Sequence, residues 1–261
     1  MPTYTICVTN QKGGVGKTTT AVNLAVGLAL NGAKTMLIDL DPQANATSGI
    51  GIDQSAMRRG IYHTLIGMAD VDDIRLPAPN VPGLTVLPAS QALFGAEVEL
   101  VGAVSREYRL KEALARCDDP PEFTVVDCPP SLGLLTINAL TAAESALIPL
   151  QCEYYALEGL SQLTRTVELI QRRLNPSLSI EGILLTMFDT RNNLSHQVAG
   201  EARCHFPDSV FDVVIPRNVR LSESPSFGKS IYQYDRASRG AKAYGELART
   251  ILERRRSNKL T

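Results

Sequence analysis

Tryptophan is absent from this 261-residue chain, and aromatic residues make up only 5% of it. A protein that grips single-stranded nucleic acid by stacking its bases needs aromatic platforms, so that class is disfavoured. A dominant sign of charge is missing too, with 26 Lys and Arg against 27 Asp and Glu. No global positive field holds a polyanion, and any DNA contact must come from a local patch. No apolar run approaches the roughly 18–20 residues that span a bilayer. The start also lacks the basic flank, apolar segment and cleavage site of a secretory signal, so a cytoplasmic protein is expected. The five cysteines, Cys7, Cys117, Cys128, Cys152 and Cys204, contain no CxxC pair. Neither a disulfide framework nor a zinc site is indicated, and reduced thiols are the plain reading.

What is present is ordinary globular material, 44% hydrophobic and 20% charged, and long enough for one large α/β domain spanning 1–261. Apolar, β-branched runs predict strands near Thr5–Thr9, Thr35–Asp39, Leu84–Pro88, Phe123–Asp127, Ser145–Leu150, Ile180–Met187 and Val210–Ile215. Helical patterns lie between them, and several runs are continuously apolar, as strands covered on both faces require. The alternation predicts a doubly wound, mostly parallel sheet flanked by helices. Ile74–Gly83, with three prolines, reads as a surface connection. The end, 246–261, carries the stripe Leu247, Ile251, Leu252 and then Arg254–Arg256, which reads as a docked last helix with a basic frayed end.

The most informative stretch is Gln11-Lys12-Gly13-Gly14-Val15-Gly16-Lys17-Thr18-Thr19, after one apolar strand and before a periodic helix. Backbone N–H groups can converge on phosphate oxygens at a helix N-terminus only where the chain comes very close, which Gly13, Gly14 and Gly16 permit. Lys17 stands where a P-loop places its phosphate lysine, and Thr18 where it places its magnesium hydroxyl. The ordinary motif wants glycine at position 11 and finds Gln11, while the variant KGGVGKTT fits completely. Lys12 precedes the phosphate cradle and is poorly placed to share the work of Lys17. A spare cation at the mouth of a triphosphate site suggests charge supplied across an interface. Asp127 ends an apolar strand, the place of a carboxylate that orients the metal, or else of a strand-end cap.

The motif resembles that of the deviant Walker A ATPases, and the flanking text resembles their ParA/Soj branch of chromosome and plasmid partition ATPases. Asp39-Leu40-Asp41-Pro42-Gln43-Ala44-Asn45 is similar to that family's switch I, and Asp127-Cys128-Pro129-Pro130-Ser131-Leu132-Gly133 to its switch II. Cys152–Leu160, Pro216–Glu223 and Ser238–Ala241 also read as family text. The likeness runs from about Thr5 to about Tyr244.

The resemblance implies ATP and Mg²⁺ as cofactors, with residues 12–19 and Asp127 around them. It gives Asp41 the attacking water and Asp39 a supporting place beside the metal, although both could simply form the Asp-Pro turn. Pro216 and Asn218 would pack beside and hydrogen-bond to adenine, and a bland Pro-x-Asn turn would read the same. Arg191 and Arg220, loop arginines near helix starts, would touch DNA phosphates without reading bases. The implied protein is a homodimeric ATPase switch on the nucleoid. It binds double-stranded DNA nonspecifically, has a ParB-like partner and moves a chromosome or plasmid. A MinD-like membrane-cycling ATPase shares the motif but needs bulky apolar residues on a basic C-terminal helix, where this chain has Leu260 alone. An iron–sulfur reductase-like enzyme needs cluster-sharing cysteines in another pattern. A filament-former would leave no motif.

Overall fold

The computed structural model describes residues 3–154 and 156–257. Its strands are β1 Tyr4–Val8, β2 Thr35–Asp39, β3 Leu76–Pro77, β4 Leu84–Leu87, β5 Phe123–Asp127, β6 Ser145–Gln151 and β7 Ser179–Thr186. They form one sheet in the order β3-β4-β2-β5-β1-β6-β7. Every pairing is parallel except β3 with β4. The principal helices are α1 Lys17–Leu30, α2 Asn45–Gly49, α3 Leu134–Ala142, α4 Ala156–Arg173, α5 Asn193–His205, α6 Val219–Glu223 and α7 Arg239–Ser257.

The period-two alternation of a strand divides the apolar residues between two faces. Ile6, Val8, Leu37 and Val125 point into one core layer, whereas Cys7, Met36, Ile38 and Val126 point into the other. Both faces are therefore covered, which explains why these strands read as unbroken apolar runs. α1 is buried almost all round between the sheet and α7, so its sequence shows no polar face. The two helices approach closely at Gly27, where an added Cβ would lie 2.8 Å from that of Ala248. α4 instead buries one stripe, Leu160, Leu163, Val167 and Ile170, and leaves its other side in solvent.

Two expectations need correction. Val210–Ile215 is not a continuous strand. It touches the edge of β7 through isolated parallel bridges, Ile183 with Val210 and Phe188 with Pro216. The Phe211 ring packs onto Gly182, and a bend at Asp212 separates the two bridged ends. The proline-rich connection, in turn, contains β3, two residues laid antiparallel on β4. A two-residue strand is too short to carry a periodic signal.

The last helix begins at Arg239, before the stretch singled out from sequence, and buries Leu247, Ile251 and Leu252. Arg254 and Arg255 stack on the rings of Phe211 and Tyr4, at 4.6 and 4.5 Å from the ring centroids. Residues 258–261, including Leu260, lie outside the described residues. Among the described residues no helix is long and apolar enough to cross a membrane.

Candidate functional site

Three strands deliver the predicted residues to the carboxyl edge of the sheet. β1 runs into the glycine loop, β2 ends at Asp39 and β5 at Asp127, and these two aspartates are register partners. In such sheets ligands sit beyond the carboxyl ends of the strands. Gly14 and Gly16 have φ of +75° and +88°, the left-handed region where a side chain is strained. Gly16 is the N-cap of α1, and Gly13 and Gly14 are exposed at the loop surface. Val15 is buried, and its carbonyl accepts a hydrogen bond from the Thr186 hydroxyl at 2.9 Å. The loop is thus pinned from β7 while its glycines face outward.

Lys17 is buried, and its Nζ donates to the carbonyl of Lys12 at 2.9 Å. Burial lowers its pKa, and the nearby charge of Asp127 pulls the other way. Asp127 is fully buried, and neither carboxylate oxygen has a hydrogen-bond partner. Burial, followed by the charge of Asp39, pushes its pKa well above the usual carboxylate range. The Thr18 hydroxyl and Lys17 favour the ionised form, yet neither reaches it in hydrogen-bonding geometry. An unpaired buried carboxylate is costly and needs an account.

Asp39 is equally buried but fully engaged. Its Oδ2 accepts from the Thr47 N–H and hydroxyl, both at 2.7 Å, and its Oδ1 from the Asp41 N–H at 3.2 Å. Burial outweighs those bonds and raises its pKa to about 6. The Thr47 hydroxyl in turn accepts from the Ala89 N–H at 2.9 Å, so switch I is tied to the strand end of β4. Asp41 accepts from the Gln43 N–H at 2.9 Å, and its carbonyl from Ala44 at 2.8 Å, as an Asp-Pro turn requires.

These residues fit a magnesium-nucleotide. Among the described residues no three His, Cys, Asp or Glu side chains converge on a metal position. Mg²⁺ keeps several waters and leans on substrate phosphates, so one hydroxyl and one unpaired carboxylate beside a glycine cradle suit it, where a full protein cage would not. Pro216 and Asn218 line a cavity of about 490 Å³ together with Gly16, Thr19, Gln151 and Thr186. Asn218 Oδ1 accepts from the Arg220 N–H at 2.9 Å and so caps α6, so its oxygen is engaged by the helix and its amide NH₂ is not used in that cap. A cavity of about 600 Å³ lies at the opposite ends of the strands, against Tyr4, Glu181 and Arg254, and gathers none of the predicted residues.

Lys12 is not free. Its Nζ is ion-paired with Glu153 of the same chain, just past β6. Arg191 makes a two-pronged pair with Asp189, Nε to Oδ1 at 3.0 Å and Nη2 to Oδ2 at 2.9 Å, and holds that carboxyl down at about 2. Arg220 pairs with Glu223 at 2.9 Å and Asp235 at 3.5 Å. The Phe188–Pro216 bridge lays the segment before Arg191 beside the one before Arg220, and Arg220 itself stands in α6 and not in the loop expected from sequence. Sequence reasoning missed Glu153, Gln151 and Thr47, all of which lie in or beside segments read as family text. It also missed the contact of Cys7 with Cys128, whose sulfurs lie 3.2 Å apart. Burial pushes the Cys128 thiol up, as in inert structural cysteines.

A family model described as an AAA domain matches residues 3–180. The chain is 55% identical over 249 residues to the chromosome partitioning protein ParA of Myxococcus xanthus, covering 95% of this chain and 88% of that protein. It is 56% identical over 246 residues to the sporulation initiation inhibitor protein Soj of Bacillus subtilis, covering 94% and 97%. Among solved structures, cobyrinic acid a,c-diamide synthase from Mycobacterium smegmatis with bound ADP and magnesium superposes with a TM-score of 0.86 at 36% identity, covering 98% and 97%. Given this identity over nearly the whole length, and a glycine loop and two switch aspartates assembled at one sheet edge, the chain belongs to the ParA/Soj family of chromosome-partitioning ATPases.

Proposed function

We propose that this chain is an ATP-driven dimerising switch that holds DNA without sequence preference and is reset by hydrolysis, to segregate a chromosome or plasmid. The observation that carries the reading is the Asp127 carboxylate, buried with both oxygens unpaired beside Lys17 and Thr18. Such a group is costly as it stands, and a cationic ligand would complete it. In this reading Gly13–Thr19 cradle the phosphates, Lys17 neutralises the β- and γ-oxygens, and Thr18 and Asp127 hold Mg²⁺, Asp127 through water. Mg²⁺ supplies charge neutralisation at the terminal phosphates. Asp41 orients the attacking water from its turn, Asp39 braces switch I through Thr47, and Pro216 with Asn218 takes the adenine. Lys12 of each subunit reaches the phosphates of the other. A ParB-like, centromere-binding partner accelerates the reset, and the nucleoid is where the dimer works.

The likeness to an amide synthase keeps a metabolic reading in view, but its 36% identity stands below the 55–56% shared with partition proteins. Lys12→Gln decides whether this lysine acts in trans. Light scattering with ATP and Mg²⁺ should give a dimer for the wild type and a monomer for the variant. Partner-stimulated turnover should fall by about three to five orders of magnitude, the worth of a cation supplied in trans to phosphoryl transfer. A variant that dimerises and hydrolyses like the wild type would return Lys12 to an ordinary loop lysine.

A further inference from the structure

Glu153 belongs to a segment, Cys152–Leu160, that reads as family text and supplies none of the residues proposed to hold nucleotide or metal. Its carboxylate is held at both oxygens: Oε2 by Lys12 Nζ and Oε1 by the Gln151 amide at 2.5 Å. Lys12 is in turn held at three points. Its N–H donates to Asn10 Oδ1 at 3.0 Å, its carbonyl accepts from Lys17 Nζ at 2.9 Å, and its ammonium sits on Glu153. Asn10 is itself anchored to the Pro149 carbonyl on β6 at 2.7 Å. One chain of contacts therefore runs Lys17, Lys12, Glu153, Gln151.

Both ends of that chain lie where the proposed function puts the nucleotide. Lys17 is the phosphate lysine of the glycine loop, and Gln151 lines the cavity of Pro216 and Asn218. We propose that Glu153 is a positioning residue, a latch in cis that keeps Lys12 on its own subunit until nucleotide draws away Lys17 and Gln151. A phosphate oxygen is a stronger partner for the Lys17 ammonium than a neutral carbonyl, because both members of the new bond are charged. Once Lys17 turns to phosphate, the Lys12 carbonyl loses its donor. A ligand that engages Gln151 removes the support from Glu153 Oε1. The remaining Lys12–Glu153 pair is about half exposed, with 44% and 46% of the two side chains accessible, and pairs of that kind are weak enough to exchange. A second subunit's triphosphate carries several negative charges and outcompetes one carboxylate.

The inference rests on the trans role of Lys12, and its test separates the two. Glu153→Gln keeps the shape and removes the charge. With ATP and Mg²⁺ the variant should dimerise at about two- to fivefold lower protein concentration than the wild type. In nucleotide-free protein, site-resolved acetylation by acetic anhydride followed by mass spectrometry should modify Lys12 faster in Glu153→Gln than in the wild type. ADP should raise the wild-type rate at Lys12, since it engages Lys17 without assembling the dimer. Dimerisation of Glu153→Gln that is unchanged or weaker, or Lys12 labelling insensitive to both the substitution and ADP, overturns the latch. ATP-dependent dimers of Lys12→Gln overturn the trans role itself, whatever Glu153 does.

Discussion

Asp127 and Arg191 are both charged and were both singled out from the sequence, yet they sit in opposite circumstances. Asp127 is fully buried with two unpaired oxygens. The Arg191 side chain is 88% exposed and fully paired with Asp189. The first arrangement is incomplete as it stands, because an uncompensated buried carboxylate costs free energy that a proton or a cationic ligand must offset. The second is complete, since exposed ion pairs are near neutral in energy and ask for nothing more. Physical chemistry alone therefore points at the sheet edge as a site. It is silent about the arginine surface, which rests on the family resemblance.

After the loss expected of Lys12→Gln, the largest effect breaks the chemistry while sparing the fold. Asp41→Ala should leave nucleotide affinity near that of the wild type, because Lys17, Thr18 and the loop amides are untouched. Turnover with the partner present should fall by about two to four orders of magnitude, the usual worth of a group that handles the proton of a nucleophile. The loss of the Gln43 N–H bond is a local cost in a turn. Affinity measured by a fluorescent nucleotide beside phosphate release checks both halves. Retained turnover would move the water-positioning role to another residue.

That prediction also marks what the sequence made legible. The order strand, glycine loop, helix placed Gly14 and Gly16 where positive φ is needed, and apolar runs ending in aspartate brought Asp39 and Asp127 to adjacent strand ends. Local spacing encodes such features. Contacts between distant segments were not legible: Lys12 with Glu153 is separated by 141 residues, and Thr186 with Val15 by 171. Neither has any periodic or spacing signal. Val210–Ile215 misled for a different reason, since its β-branched run is real but only its ends bond to β7.

A middle-sized effect concerns the buried charge itself. Asp39 and Asp127 both have pKa values raised by burial, Asp39 to about 6. A carboxyl whose folded pKa lies above its unfolded one binds more protons when folded. Nucleotide-free protein should therefore lose stability as pH rises from about 4 towards 6 and beyond. Asp127→Asn removes one of these groups without breaking any hydrogen bond, because the Asp127 side chain makes none. Its melting temperature should exceed that of the wild type by a few degrees at pH 8, roughly 1–2 kcal/mol in a chain of this size, and the gap should close towards pH 4.5. Magnesium-nucleotide should reverse the order, since the wild type then gains a partner for the carboxylate and the variant does not. A gap that is independent of pH would mean that the Asp127 carboxyl titrates alike in the folded and unfolded chain, so that burial does not raise its pKa.

The smallest effect tests the silent surface. If Arg191 and Arg220 each contact a phosphate in the ATP-bound dimer, each contributes roughly 0.9 to the slope of log affinity against log salt, counted per subunit that reaches the duplex. Arg191→Ala or Arg220→Ala should therefore flatten that slope by about one to two and weaken binding to unrelated sequences equally. ATP-dependent dimerisation should remain intact, since neither arginine bonds to the glycine loop or the switches among the described residues. Asp189→Asn works in the opposite sense, because it frees Arg191 from the carboxylate that now occupies its two prongs. It should bind DNA modestly more tightly than the wild type at low salt. Fluorescence anisotropy on two unrelated duplexes, with ATP and with ADP across a salt series, resolves these shifts. Binding that is absent in every nucleotide state, or untouched by both alanine variants, would take DNA off this surface. The exposed arginines would then be only what their cis pairs make them, locally satisfied charges at the edge of β7.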